Sequence, residues 1–228
     1  MDKTSVDLDE MRARLLTAAL PHVAFDGWSA ATFAAAAADA GIAPGMARVI
    51  CPRGALDLAV AYHRQGDRAM EARLAASDLA ALKFRERVAA AVRFRLEAAD
   101  PDAVRRGAAL FSLPQNVAVG SALIWGTADA IWRALGDNSA DVNWYTKRMT
   151  LSAVYSATVL YWLGDDSAGK AATWEFLSRR IEDVMRFEKA KADFRASGLG
   201  KTLAGPLKLL TRIRAPAPAP GDLPGQKG

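Results

Sequence analysis

Cysteine and histidine are nearly missing from this chain: of 228 residues one is cysteine, Cys51, and two are histidine, His22 and His63. A lone cysteine rules out an internal disulfide framework and a cysteine-rich metal site, and it suits a reducing compartment. No glutamate is followed three residues later by histidine, so the helical di-iron motif is absent. HExxH, the phosphate-cradling P-loop and GxGxxG are absent too, which leaves zinc hydrolysis and nucleotide chemistry without a recognisable seat. Cys51 stands before a proline with no cationic neighbour upstream in its own turn, the setting of a small buried residue rather than a nucleophile. The opening residues, MDKTSVDLDEMRARLL, lack the basic flank and apolar run of a secretory leader and the acid-poor make-up of a transit peptide. These shortages predict a non-enzymatic binding protein with no cofactor, kept in the cytoplasm.

What is present is helix-forming sequence. Hydrophobic residues make up 51% of the chain, enough for a substantial core, and alanine-rich stretches with leucine at helical spacing predict an all-α fold. Breakers divide the chain at Pro21 and Gly27, Gly41 to Gly45, Pro52 to Gly54, Asp100-Pro101, Pro114, Gly136 to Asp141 and Gly164 to Gly169, which implies roughly nine helices. The expected organisation is a helix-turn-helix-like subdomain over 1–66, a helical lipid-binding and dimerisation domain over 67–187, a linker with an amphipathic helix over 188–214, and a disordered Pro/Gly-rich tail over 215–228.

In the first part a helix over Met11 to Ala24 precedes Ser29, an N-cap for a short helix over Ala30 to Ala40. Gly41 ends that helix, a third follows over Pro44 to Ile50, and Pro52-Arg53-Gly54 opens a longer one. Short helix, glycine turn, short helix is a helix-turn-helix with the spacing of TetR-type regulators. Charge argues against nucleic acid as a partner. Between Asp26 and Tyr62 the net charge is −1, and APGMARVI, in the groove-reading position, offers Arg48 alone. A reader of DNA must neutralise several phosphates.

From Gly107 to Ala128 there is no charged residue. Pro114-Gln115-Asn116 breaks the stretch, so it predicts two buried helices rather than a membrane span. Small residues there, Gly120, Ser121, Ala122 and Gly126, are expected to leave room for an apolar ligand beside Leu110, Phe111, Leu113, Leu123 and Trp125. Further on, DVNWYTKR places Asp141 or Asn143 as the cap of a helix whose buried stripe runs through Leu151, Val154, Tyr155, Thr158 and Trp162. Trp144 and Tyr145 diverge by about 100° on that helix, so at least one lies near the surface, and Trp144 can stack on Arg148 one turn on. Exposed aromatics flanked by cations also serve as interface anchors.

The segments ALPHVAFDGWS, CPRGALDLAVAYH, TADAIWRALGDNSADVNWYTKRMTLSAVYSATVLYWLGDDS and ATWEFLSRRIEDVM resemble the coenzyme Q protein nine family, ubiquinone-biosynthesis accessory lipid-binding proteins of TetR-like fold, from about Ala19 to Met185. The resemblance implies a homodimer without catalytic activity. Such a protein holds an isoprenoid quinone precursor or a phospholipid and cooperates with demethoxyubiquinone hydroxylase. It implies a partner-binding surface at Asp129, Ile131, Asp141, Trp144, Tyr145 and Arg148, with isoleucine where the family often has methionine. It also implies a terminal membrane-touching helix.

The counterpart of that helix is LGKTLAGPLKLLTRIR. Leu199, Leu203, Leu207, Leu210 and Ile213 fall within about 120° of a helical wheel, with Lys201, Lys208 and Arg212 opposite, the pattern of a helix lying on an anionic membrane surface. Arg195 to Arg214 carries five basic residues and no acid, which equals the net charge of +5 of the whole chain. The expected location is therefore cytoplasmic, peripheral on the inner face of the cytoplasmic membrane of a bacterial form. The alternative is a TetR-type repressor with an apolar inducer, which would need its cations near Arg48 rather than after Arg195.

Overall fold

Ser29 does what its position promises: its hydroxyl accepts the Thr32 N–H at 3.2 Å and starts a helix. The computed structural model describes residues 3–139 and 142–196. Among these, nine α-helices follow one another with no strand: α1 Lys3–Asp26, α2 Ala30–Asp39, α3 Pro44–Ile50, α4 Ala55–Ala76, α5 Phe84–Glu97, α6 Pro101–Ser112, α7 Val117–Ala134, α8 Val142–Leu163 and α9 Ala171–Ala196. The all-α expectation holds, and most helix ends fall where glycine and proline put them. Gly41, at φ +64°, closes α2, and Asp100 caps α6 by accepting the Ala103 N–H at 2.8 Å. Asp165 holds the α8–α9 turn, accepting from the N–H of Ser167 at 2.8 Å and from the N–H and hydroxyl of Thr173 at 2.8 and 2.6 Å. These bonds, Ser167 first and then Thr173, hold its carboxyl well below the usual carboxylate range.

Two boundaries depart from the reading of breakers. Pro21, counted among the breakers, lies inside α1, as in the expected helix over Met11 to Ala24. Proline there removes one N–H from the ladder, but it sits on the exposed face, where water can serve the carbonyl left over, while Leu15, Leu16, Ala19 and Val23 on the other face are buried. Conversely, the chain leaves helix over residues 77–83, which contain neither glycine nor proline. Side chains make that break: Ser77 donates to the Arg73 carbonyl, Asp78 accepts the Ala80 N–H, and Glu86 accepts the Lys83 N–H at 2.9 Å as α5 begins.

The helices gather into two compact units, each drawn from more than one stretch of chain. The first takes residues up to 69 and 98–123, and its core joins Leu15, Ala19 and Val23 of α1 to Phe33 and Ala36 of α2, Ile50 of α3, Leu58 of α4 and Ala103 of α6. The Trp28 indole N–H donates to the Ala103 carbonyl at 3.1 Å, and the Arg106 guanidinium donates to the Ala24 carbonyl at 3.0 Å. In the same unit α2 and α3 form the helix-turn-helix, bent by 113°. The second unit takes, among the described residues, 70–97 and 124–196. It buries Leu96 of α5, Ile131 of α7, the foreseen stripe Leu151, Val154, Tyr155, Thr158 and Trp162 of α8, and Leu177 of α9. No single helix among the described residues is long and apolar enough to cross a membrane.

Candidate functional site

The chain turns back after α7 through Gly136, whose φ of +80° suits glycine, with the Gly136 N–H donating to Arg133 and the Asp137 N–H to Trp132, both at 3.0 Å. This pair of reversed bonds turns the Asp137 side chain inward, leaving it 3% exposed. One carboxylate oxygen accepts from Lys147 Nζ at 2.7 Å and from the Ser139 hydroxyl at 2.8 Å, and the other accepts from Arg148 Nη1 at 3.0 Å. Burial alone would push the Asp137 carboxyl up, but the hydrogen bonds from Lys147, Ser139 and Arg148 outweigh it and lower it to about 2.

Arg148 is the hub. Its Nε donates to Asp129 at 2.6 Å, its Nη1 donates to the Trp144 carbonyl at 3.1 Å, and its guanidinium carbon stands 4.0 Å from the Trp144 ring centre. A cation so buried is tolerable only because two carboxylates, a carbonyl and a ring face receive it. Against this base the aromatics assemble: Trp144 and Tyr145 meet edge to face at 4.8 Å, and Trp125 lies 5.9 Å from Trp144 and 6.5 Å from Tyr145. Trp132 stacks on Phe84 at 5.4 Å, and Lys147 Nζ stands over the Trp132 ring, 5.0 Å from its centre. The result is a half-buried aromatic cluster with fixed cations behind it, a stiff surface for a partner or a flat ring.

The partner-surface residues fare differently. Trp144, Tyr145 and Asp129 are half-buried and reach the surface, and the Trp144 stack on Arg148 is present. Ile131 and Arg148 are buried, Arg148 directly behind the Trp144 ring. Asp141 lies outside the described residues, as do Leu199, Lys201, Leu203, Leu207, Lys208, Leu210, Arg212 and Ile213. Asp137, Lys147, Trp132 and Phe84 were missed. The glycine directly after an apolar helix was the one available signal for Asp137, since it marks a helix end whose next side chain turns inward.

Beside Gly120, where ligand space is expected, stands Phe111. A Cβ at Gly120 would stand 2.7 Å from the Phe111 Cβ, so Phe111 itself fills the room that the small residue leaves. Leu110 and Phe111 are half-buried, Leu123 is buried, and Leu113 is exposed, all in the first unit. Trp125 belongs to the second unit, in the aromatic cluster. Nor are α6 and the start of α7 enclosed all round, because Leu113 and Val117 face outward. Elsewhere Cys51 is buried, and burial pushes its thiol up against the opposing influence of Arg12. In the helix-turn-helix, Arg48 lies 5.2 Å from the Phe33 ring centre, drawn onto its own fold.

By architecture this is a TetR-like helical protein. A TetR transcriptional regulator from Nitrosomonas europaea superposes with a TM-score of 0.62 and 20% identity, over 76% of this chain and 97% of that one. The COQ9 family's model matches residues 117–188, the stretch that holds the aromatic cluster and the Arg148 network. The human ubiquinone biosynthesis protein COQ9, mitochondrial, is 28% identical over 198 residues, 83% of this chain and 62% of that protein. The protein of the same name from Drosophila melanogaster is 30% identical over 193 residues, 82% of this chain and 59% of that protein. COQ9-A of Xenopus laevis is 41% identical over 73 residues, 32% of this chain and 23% of that protein. The chain thus spans about three fifths of the full-length relatives it matches most extensively.

These names correct the expected location. The relatives are mitochondrial proteins, which sets aside a cytoplasmic protein on the inner face of a bacterial cytoplasmic membrane. That expectation rested on the make-up of the first few residues, and in a chain covering part of its relatives' length those residues are no guide to an address.

Proposed function

We propose that this protein is a non-enzymatic accessory of ubiquinone biosynthesis, acting in mitochondria as its relatives' names describe. In this reading it binds an isoprenoid quinone intermediate at an anionic membrane surface and presents it to demethoxyubiquinone hydroxylase, working as a homodimer. The observation that carries the reading is the cluster of Trp125, Trp144 and Tyr145 braced by buried Arg148 inside the stretch that the COQ9 family's model matches. Tyrosine and tryptophan held rigid over a paired cation make interface anchors. The segment 199–213 supplies the membrane contact through its leucine stripe and basic back. A repressor reading is disfavoured because Arg48, the lone cation of the groove-reading helix, is engaged by Phe33.

The deciding experiment is mass spectrometry of lipid extracted from the gently purified protein, with hydroxylase co-purification alongside. An isoprenoid quinone is expected in the extract, and Trp144→Ala or Tyr145→Ala should weaken hydroxylase binding by about 2 kcal/mol. A ligand-free protein whose melting temperature does not respond to added quinone would sink the carrier reading. Hydroxylase binding that survives both substitutions would move the interface elsewhere.

A further inference from the structure

Among the described residues, three buried side-chain polar atoms have no hydrogen-bond partner: Arg87 Nε, Trp132 Nε1 and Ser152 Oγ. A donor held out of water with nothing to receive it is costly, and two of these three meet at one side chain of the second unit. Phe84, the first residue of α5, has its ring centre 5.4 Å from that of Trp132, with the planes 27° apart, and 5.3 Å from the Arg87 guanidinium carbon. A phenyl ring offers an aromatic face to both and an oxygen to neither. Lys147 Nζ, 5.0 Å from the Trp132 ring centre, brings further donors, already given to Asp137 and Ser139. Phe84 itself is 40% exposed, so its ring can turn out into water without opening the core.

A place filled by a flat six-membered ring and bordered by unmet N–H groups fits a flat ring that carries acceptor oxygens. A benzoquinone is such a ring: its carbonyl oxygens accept and cannot donate, and its electron-poor face stacks on an electron-rich indole. A hydrocarbon tail would leave both donors unmet, so the pair selects for a head group. We propose that Phe84 holds the place of a quinone head group. The phenyl ring swings aside, the quinone ring seats on Trp132, and its oxygens accept from Trp132 Nε1 and Arg87 Nε. The inference rests on the carrier reading for the natural ligand, and it leaves Trp125, Trp144 and Tyr145 to the protein partner.

The probe is tetramethyl-1,4-benzoquinone, which has the ring but neither a tail nor an open ring carbon for a thiol to attack. It is titrated into the full chain while the six tryptophan indole N–H resonances are followed, that of Trp132 being assigned by its loss in Trp132→Phe. The expected result is a downfield shift of the Trp132 indole proton that saturates. Trp132→Phe and Arg87→Met should each weaken binding by about tenfold. Phe84→Ala should tighten it several-fold, because the cover no longer competes for the place. A saturating shift confined to other indoles would overturn the site, as would no shift at all, or a Phe84→Ala chain that loses binding while keeping its melting temperature. Benzoate bound in preference to the quinone would overturn it in favour of an aromatic acid. An isoprenoid quinone in the lipid extract with the Trp132 proton unmoved would remove this site alone. A shifted Trp132 proton in a chain whose extract holds no isoprenoid would remove the carrier reading and leave the ring site standing.

Discussion

Asp137 has a carboxyl that accepts from a lysine, a serine and an arginine while almost out of contact with water. Replacing it with asparagine leaves Arg148 with Asp129 as its remaining carboxylate, and this should lower stability by about 3 kcal/mol, the cost of breaking a buried pair, as read by denaturant melts. The same carboxyl predicts an acid response. Its folded value of about 2 lies below the ordinary value near 4, so the stabilisation is complete above about pH 4 and is lost as pH falls toward 2. Asp137→Asn should flatten the fall of the melting temperature in that window, and a variant whose acid slope matches the parent chain would place the responsive group elsewhere. None of this was open to the sequence. Trp144 and Arg148 sit four apart on one helix, so their stack could be foreseen, whereas Asp137 reaches them through a loop and Asp129 from another helix.

At the scale of helices, the packing of α6 on α7 gives a test with an unusual sign. Alanine normally improves a helix over glycine by about 1 kcal/mol, yet Gly120→Ala puts a methyl group 2.7 Å from the Phe111 Cβ, an atom tied to the backbone. The clash should win, lowering stability by about 1–2 kcal/mol, and Phe111→Ala should make the same alanine tolerable; a stabilised single variant would mean that α6 and α7 slide apart freely. Helix ends were legible wherever a cap or a left-handed glycine sat at the break, as at Ser29, Gly41 and Asp100, because these act within a few residues. The break over 77–83 was not, because it depends on hydrogen bonds from Ser77, Asp78 and Glu86, whose residue types also occur inside helices. Small residues in an uncharged run promised a cavity for the same reason: sequence shows the space a glycine leaves but not the phenylalanine that takes it.

For the molecule as a whole, α8 leaves Met149, 61% exposed, and Leu160, 68% exposed, on one line with Ala153 and Ser156, at steps of four, three and four residues. That stripe is the face on which a homodimer is expected to close, so Leu160→Glu should convert a dimer to a monomer in light scattering without unfolding either unit. A dimer that persists would put its interface on another face. The tie from Trp28 to Ala103 reaches across 75 residues, and the Asp100 N–H donates to the Tyr62 hydroxyl across 38. During synthesis, then, the helix-turn-helix emerges long before the stretch that completes its core. Until α6 has left the ribosome, the Trp28 indole lacks its acceptor and α1 its cover, so the growing chain passes through a period in which three or four helices exist without a closed interior. Chaperone demand should concentrate in that interval and end once residues near 123 are free.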